Sequence, residues 1–155
     1  MTRKPNPKSK PKPKPKPKRR VAARPQAPPG KAPSVDPVLA SRLLARVRQL
    51  CLALPGATER PSHGSPSFFL GGKQAFASFS DNHHADGRIA LVCAAPDGAQ
   101  AMLVDANPDC YFVPPYVGRL GWIGVRLDRD LPWSEIAAVI ESAHAARGAR
   151  RGRPS

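Results

Sequence analysis

Apolar residues recur along the chain with two different periods, and these periods predict the secondary structure. Between Pro37 and Leu54, leucine and valine return every three or four residues, which is typical of a helix with one buried face. Asp36 and Pro37 predict its start, because an acidic N-cap followed by proline suits the first turn. The residues on the predicted buried face are Leu39, Leu43, Val47, Leu50 and Leu54, backed by Leu44 and Cys51.

Three short segments in the middle of the chain predict β-strands. They cover residues 67–70, 74–80 and 88–94, and Gly71-Gly72 between the first two predicts a hairpin turn. We interpret residues 58–66, which contain two prolines, as a loop. Alternation assigns to the packed face Ala75, Ala77 and Phe79 in the second strand and Ile89, Leu91 and Cys93 in the third.

The last third of the chain predicts helix, strand and helix. The short helix runs from Pro96 to Ala106, and the last one starts near Trp133 with a buried stripe that continues through Ile136, Ile140 and Ala143. In the strand between them, Ile123, Val125 and Leu127 fall on one side, and Trp122, Gly124 and Arg126 fall on the other. The element order predicts an α+β domain, an antiparallel sheet with helices covering one face.

The charge of this 155-residue chain is unevenly distributed. Its formal net charge is +14, but residues 1–31 hold 12 of the 25 Lys and Arg residues and no acid. Residues 36–147 carry 10 basic and 11 acidic residues, so the predicted domain is close to neutral. We therefore divide the chain into a disordered Lys/Pro-rich basic arm and linker (1–34), a folded domain (35–147) and a basic C-terminal tail (148–155). An attraction to polyanions belongs to the arm and tail.

The arm repeats lysine and proline between residues 8 and 18 and ends in Arg19-Arg20. Proline at every second position prevents helix and sheet, so we expect an extended, solvated segment that can follow a phosphate backbone but cannot read bases. A solubilising linker is the alternative. The candidate DNA-binding residues of the arm are Lys8, Lys10, Lys12, Lys14, Lys16, Lys18, Arg19 and Arg20.

The three cysteines, Cys51, Cys93 and Cys110, lie far apart in apolar surroundings and form no Cys-x-x-Cys pair. This pattern is typical of reduced core thiols. The basic N-terminus is not followed by a hydrophobic region, and no apolar run approaches the length of a membrane span. We expect a cytoplasmic protein, nucleoid-associated if it binds DNA, without a membrane partner.

The side of the last strand that carries Trp122, Gly124 and Arg126 is the first candidate site on the domain. Together with Tyr116 and Arg119 it could stack on bases or hold phosphate, and Lys73 and Arg88 could extend it. The alternative is structural: Trp122 and Tyr116 pack under a loop, and Arg126 pairs with an acid such as Asp128.

The histidines are the second candidate site. His83 and His84 share a turn with two aspartates, Asp81 and Asp86, and His63 lies in a separate loop. Imidazole and carboxylate groups can hold a divalent metal, but an exposed polar turn is the favoured interpretation. The sequence shows neither a nucleophile elbow nor a phosphate-binding glycine loop, so we expect neither an enzyme nor a cofactor.

Several motifs of the domain resemble the MmcQ/YjbR family of small bacterial proteins. They are Leu54-Pro-Gly56, Gly64-Ser-Pro-Ser-Phe68, Gly72-Lys73 with Phe76-Ala77, and above all the segment from Pro114 to Leu127 with its Gly-Arg-x-Gly-Trp-x-Gly-Val-Arg core. The resemblance spans roughly residues 38–146 and implies a CyaY-like or double-wing fold that is usually labelled DNA-binding. Family members often have a lysine where this chain has Cys93-Ala94, so one sheet charge is missing.

Together these features predict a monomeric, non-enzymatic protein that associates with DNA. Its arm supplies attachment that is largely independent of sequence, and the sheet face adds weak contacts. An adaptor that binds a protein or a small ligand on the same sheet face remains the alternative.

Overall fold

A computed structural model of the chain describes residues 34–82 and 85–151, except for the side chains of residues 150 and 151. The predicted arm, along with His83 and His84, lies outside the described residues. The elements are the helices α1 (Pro37–Leu52), α2 (Ala99–Ala106) and α3 (Trp133–Arg151) and the strands β1 (Ala57–Ser62), β2 (Ser65–Leu70), β3 (Gln74–Asp81), β4 (Ile89–Cys93), β5 (Tyr111–Phe112) and β6 (Ile123–Arg126).

The six strands in the described part of the chain form one sheet in the order β1-β2-β3-β4-β6-β5. Every neighbouring pair is antiparallel. On one face Leu91 pairs with Val125 and Cys93 pairs with Ile123, and these side chains are fully buried in one core with α1 and α3. The predicted α+β class, with helices covering one face of an antiparallel sheet, is confirmed.

Helix α1 begins where the sequence predicts. The Asp36 carboxylate accepts a hydrogen bond from the Val38 amide at 2.9 Å, and Pro37 occupies the first turn. Of the predicted buried stripe, Leu43 and Val47 are buried, but Leu39 is 40% exposed and Ala40 is buried in its place. The sequence cannot distinguish two neighbouring positions that both lie near the edge of an amphipathic face.

The loop predicted at residues 58–66 is wrong, because this segment forms the hairpin of β1 and β2. His63 (φ 50°) and Gly64 (φ 79°) make a two-residue turn with positive φ at both positions, the geometry that joins antiparallel strands tightly. Pro61 is tolerated because β1 is an edge strand. Pro66 is tolerated because the pairing of β2 with β3 starts only at Ser67.

A β-bulge between β2 and β3 corrects the predicted face of β3. The register shifts after Phe68, which pairs with Ala77, so that Phe69 pairs with Ala75. Ala75 therefore lies on the face opposite the helices, whereas Ala77 and Phe79 belong to the core. Strict alternation cannot predict this, because the extra residue, Phe76, moves the β3 residues before it to the opposite face of the sheet.

All three cysteines are buried and free of disulfides, as predicted. Burial, together with the charge of Glu59, raises the pKa of the Cys51 thiol to about 12, and burial raises the pKa of Cys93 well above its ordinary value. These thiols are held in the unreactive protonated form. None of the helices in the described residues has the length and apolar character needed to cross a bilayer.

Candidate functional site

The sheet face opposite α1 and α3, which we call the open face, carries one continuous row of side chains across the sheet. The strand register aligns neighbours in pairs along the whole row. In order from β1 to β5, the row consists of Arg60, Ser67, Ser78, Val92, Gly124 and Phe112. Small side chains fill its middle, so the open face is recessed between an arginine at one edge and an aromatic ring at the other.

A groove of about 670 Å³ lies over this row, and we call it the open-face groove. Its floor is rich in hydroxyl groups. Ser67 is almost fully buried and shares a hydrogen bond of 2.9 Å with the Ser78 hydroxyl. The groove lining also includes Ser62, His63, Ser65, Ser80, Asp86, Phe112, Tyr116 and Trp122. Serine is a poor strand former, so local β-propensity does not explain a sheet face built around it.

Gly124 is covered by the ring of Phe112. A Cβ atom at position 124 would lie 2.4–2.6 Å from three ring carbons, which places it over the ring and not beyond its edge. The guanidinium carbon of Arg88 lies 4.5 Å from the centroid of the same ring. The Phe112 ring therefore covers the backbone of Gly124, which has no side chain, and Arg88 stacks on the same ring.

The outer wall of the groove is the segment that leads into β6, residues 114–122. It carries Tyr116, which is 80% exposed and has a φ of 66°, and Trp122, which is partly buried against the core. The Gln100 amide of α2 donates to the Gly118 carbonyl at 2.7 Å and to the Trp122 carbonyl at 2.6 Å. One side chain therefore attaches the wall to α2 at the backbone of Gly118 and Trp122.

The structure brings together two of the candidate DNA-binding residues of the domain, since Tyr116 and Trp122 both line the groove. Arg126 lies on the open face beside Asp128. Arg119 is exposed in a 3-10 turn of the wall segment, and Lys73 is exposed in the turn between β2 and β3; neither lines the groove. The candidates in the arm lie outside the described residues.

Arg126 and Asp128 form a two-pronged ion pair. Arg126 Nε and Nη2 donate to the two carboxylate oxygens at 3.0 and 2.9 Å, and both side chains are more than four-fifths buried. Burial raises the pKa of Asp128, but the hydrogen bonds and charge of Arg126 and the Ile89 amide outweigh it, so the pKa lies below its ordinary 3.8. This is the structural alternative that the sequence left open for Arg126, and the pair occupies its guanidinium.

Asp128→Asn is expected to lower the free energy of unfolding at neutral pH by roughly 1–3 kcal/mol, because it leaves Arg126 without a charged acceptor. Since the folded-state pKa is depressed, the wild-type advantage exists above the unfolded pKa and disappears as the pH falls through the folded value. Urea unfolding at neutral pH and below about pH 3 measures both limits. Asp130→Asn, at an exposed neighbour, is the control, and an equal loss in both variants would contradict the prediction.

The metal site predicted as an alternative is not assembled by the described residues, in which no three His, Cys, Asp or Glu side chains converge. His63 sits in the β1–β2 turn and lines the groove. His83 and His84 lie outside the described residues. The fourth histidine, His144, has a structural position: its ring packs edge-on against Phe76, and its Nε2 is 2.7 Å from the Pro55 carbonyl.

Sequence reasoning missed the serine floor, the Phe112 cover and the Gln100 attachment. Serines two residues apart, at 65 and 67 and again at 78 and 80, are a signal for one polar sheet face. Only the register shows that the two pairs are neighbours. Phe112 and Gln100 give no signal in the sequence, because their roles depend on residues 12 and 18–22 positions away.

A second cavity, of about 570 Å³, lies among the loop before α2, α2 itself and α3. Its walls are mostly alanine and aliphatic side chains, and the buried Tyr111 hydroxyl there donates to Glu135 at 2.7 Å. Burial, reinforced by this hydrogen bond, raises the pKa of Tyr111 well above its ordinary value. None of the candidate site residues lines this cavity, so the open-face groove is the candidate functional site.

Comparison with known proteins agrees with this architecture. A crystal structure of a Deinococcus radiodurans protein with the family-model domain DUF419 superimposes with a TM-score of 0.57 over 66% of this chain and 76% of that chain. At 16% identity, this similarity shows the fold alone. A search of curated proteins gives no significant match. The family model for YjbR matches residues 52–146, which include the hairpin, the open-face groove and most of α3, and the chain therefore belongs to the YjbR family.

Proposed function

We propose that this protein attaches to DNA without catalysing a reaction, and that its basic arm supplies most of the attachment. The observation that carries the proposal is the uneven charge: 12 of the 25 basic residues lie in residues 1–31, where no acid offsets them. Cations on a chain of this composition bind by displacing counterions from phosphates, which requires no fixed base contacts. Such a protein acts in the bacterial cytoplasm, at the nucleoid, as a monomer.

The disposition of charge on the domain supports this division of roles. Arg48 is held in an ion pair with Glu59, and Arg126 is held in one with Asp128. Besides Arg126, the open face carries Arg60 and Arg88, and each of these two stacks on an aromatic ring. The domain therefore contributes a few contacts from one face, while the large electrostatic term comes from the arm.

The test measures the affinity for a random-sequence DNA duplex at several salt concentrations, for the full chain and for a variant that lacks residues 1–31. If Z arm cations contact phosphates, the logarithm of the affinity falls against the logarithm of salt with a slope of about −0.9Z. Removing the arm is expected to flatten this slope and to weaken binding at low salt. Fluorescence anisotropy of a labelled duplex gives both quantities.

A matched variant separates charge from chain length. Replacing the six lysines of the repeat with glutamine keeps the prolines and removes the charge, so it is expected to behave like the deletion. The replaced residues are Lys8, Lys10, Lys12, Lys14, Lys16 and Lys18. If both variants kept the slope and the affinity of the full chain, the arm would not be the anchor, and the proposal would be wrong.

A further inference from the structure

The open-face groove is a recess and not a projection. Its lining residues come from strands, turns and the segment before β6, while α1 and α3 pack on the other face. Reading the edges of duplex bases requires an element that enters a DNA groove, commonly a helix or a two-stranded ribbon. A recess of about 670 Å³ instead suits unstacked nucleobases, which are planar and can enter the protein.

The wall of the groove offers rings on which such groups can stack. Tyr116 is 80% exposed, in a left-handed backbone conformation (φ 66°) that ordinary side chains avoid. Trp122 lines the same groove, with its carbonyl fixed by Gln100. In the same groove, the hydroxyl oxygens of Ser67 and Ser78 give the floor hydrogen-bond acceptors without bulk, while the Ser67 proton is donated to the Ser65 carbonyl. Rings and small hydroxyl side chains in one groove suit a planar heterocycle that has polar edges.

Two arginines of the open face, which lie beside the groove lining and not in it, complement a phosphate chain. Arg60 lies over Phe69 at 4.0 Å from the ring centroid, and Arg88 lies over Phe112 at 4.5 Å. Stacking on a ring holds each guanidinium in place while leaving its edge open to an anion.

The net charge of the open face does not by itself favour single-stranded DNA over duplex DNA. Asp86 lines the groove and Asp128 pairs with Arg126, so the three open-face arginines exceed the acids by one charge. An arm that binds by counterion release also favours the duplex, whose charge density is higher than that of a single strand. A preference for single strands must therefore come from base stacking in the groove.

We propose that the open-face groove binds unpaired bases of single-stranded DNA, with Tyr116 and Trp122 stacking on them and Arg60 and Arg88 contacting the flanking phosphates. The inference rests on the proposed function and deepens it, because it states which form of DNA the domain selects. In this arrangement the arm holds DNA of either form, and the groove adds affinity only where the strands are separated.

The experiment uses the full chain with two labelled probes: a thymine-only strand, and the same strand annealed to its adenine complement. The full chain is expected to bind the single strand about 5- to 50-fold more tightly than the duplex at equal salt, the gain that one or two stacked bases give. A Trp133→Phe variant leaves Trp122 as the sole tryptophan. Its emission is expected to fall when the single strand binds and to change little with the duplex.

Tyr116→Gly removes one stacking ring at a position where the backbone favours glycine. It is expected to lower the ratio of single-strand to duplex affinity about tenfold, the loss typical of one stacking aromatic side chain. The control is Leu120→Ala, an exposed residue of the same segment that does not line the groove, and it is expected to keep the ratio.

The outcomes separate the two proposals. If the full chain preferred the duplex, or if Tyr116→Gly left the ratio unchanged and Trp122 emission did not respond, the single-strand inference would be overturned. The proposed function would stand in that case, since the duplex would still bind through the arm. Absence of binding to both probes at low salt would overturn the proposed function together with the inference.

Discussion

Phe76→Ala is expected to lower the free energy of unfolding by about 3–5 kcal/mol, the cost of deleting a fully buried aromatic side chain. Phe76 is the extra residue of the β-bulge, has no exposed surface and packs edge-on against the ring of His144 in α3, at 5.4 Å between centroids. The substitution removes the ring that fills the space between β3 and α3. Urea unfolding followed by far-ultraviolet circular dichroism measures the loss.

The matched control is Met102→Ala, which removes a long apolar side chain that is 65% exposed. It is expected to change stability by less than about 0.5 kcal/mol, because little buried surface is lost. A loss below about 1 kcal/mol for Phe76→Ala would show that the bulge does not seat α3 on the sheet.

Gly124→Val is expected to cost about 1–3 kcal/mol of stability, because its side chain would occupy the place of the Phe112 ring. The new Cβ atom alone would lie 2.4 Å from a ring carbon, so the ring has to leave. Its departure also removes the contact with Arg88. Thermal unfolding of the variant measures the loss, and the double variant Gly124→Val with Phe112→Ala is expected to recover part of it.

Gly148→Ala is a control in which replacing a glycine is expected to raise the stability of the domain instead of lowering it. Gly148 lies in α3, and an added Cβ would meet Leu70 at 3.7 Å, an ordinary contact. Alanine there is expected to stabilise the domain by up to about 1 kcal/mol through helix propensity. If Gly124→Val were neutral, Phe112 would not be packed on the Gly124 backbone as described.

Local sequence signals were sufficient wherever one residue type determines the geometry. Asp36-Pro37 located the start of α1, the Gly71-Gly72 turn located a hairpin, and strict alternation in β6 assigned Ile123 and Val125 to the core. The β1–β2 hairpin was missed because prolines argue against strands, although an edge strand and a partner that starts late both tolerate them. The bulge at Phe68 was missed because a shift in register leaves no trace in composition.

The candidate site was predicted less completely than the fold. Tyr116 and Trp122 stood out because exposed aromatic rings beside glycines suggest a binding surface, and both line the groove. The ion pair of Arg126 with Asp128 followed from a spacing of two residues and was left open as an alternative. The serine floor and the place of Arg60 on the open face could not be predicted, because they depend on which strands are neighbours in the sheet. Arg88 was expected to extend the candidate face, and it lies there against Phe112.

The attachment of the groove wall to α2 through Gln100 has a kinetic consequence. Helix α2 has eight residues, none of them fully buried, and no side-chain cap at its N-terminus, so it is a poor candidate for independent stability. The two carbonyls that Gln100 holds are released whenever α2 frays. The wall is therefore expected to open in step with this helix, and amide exchange at α2 and at the wall should share one opening rate while the strands stay protected.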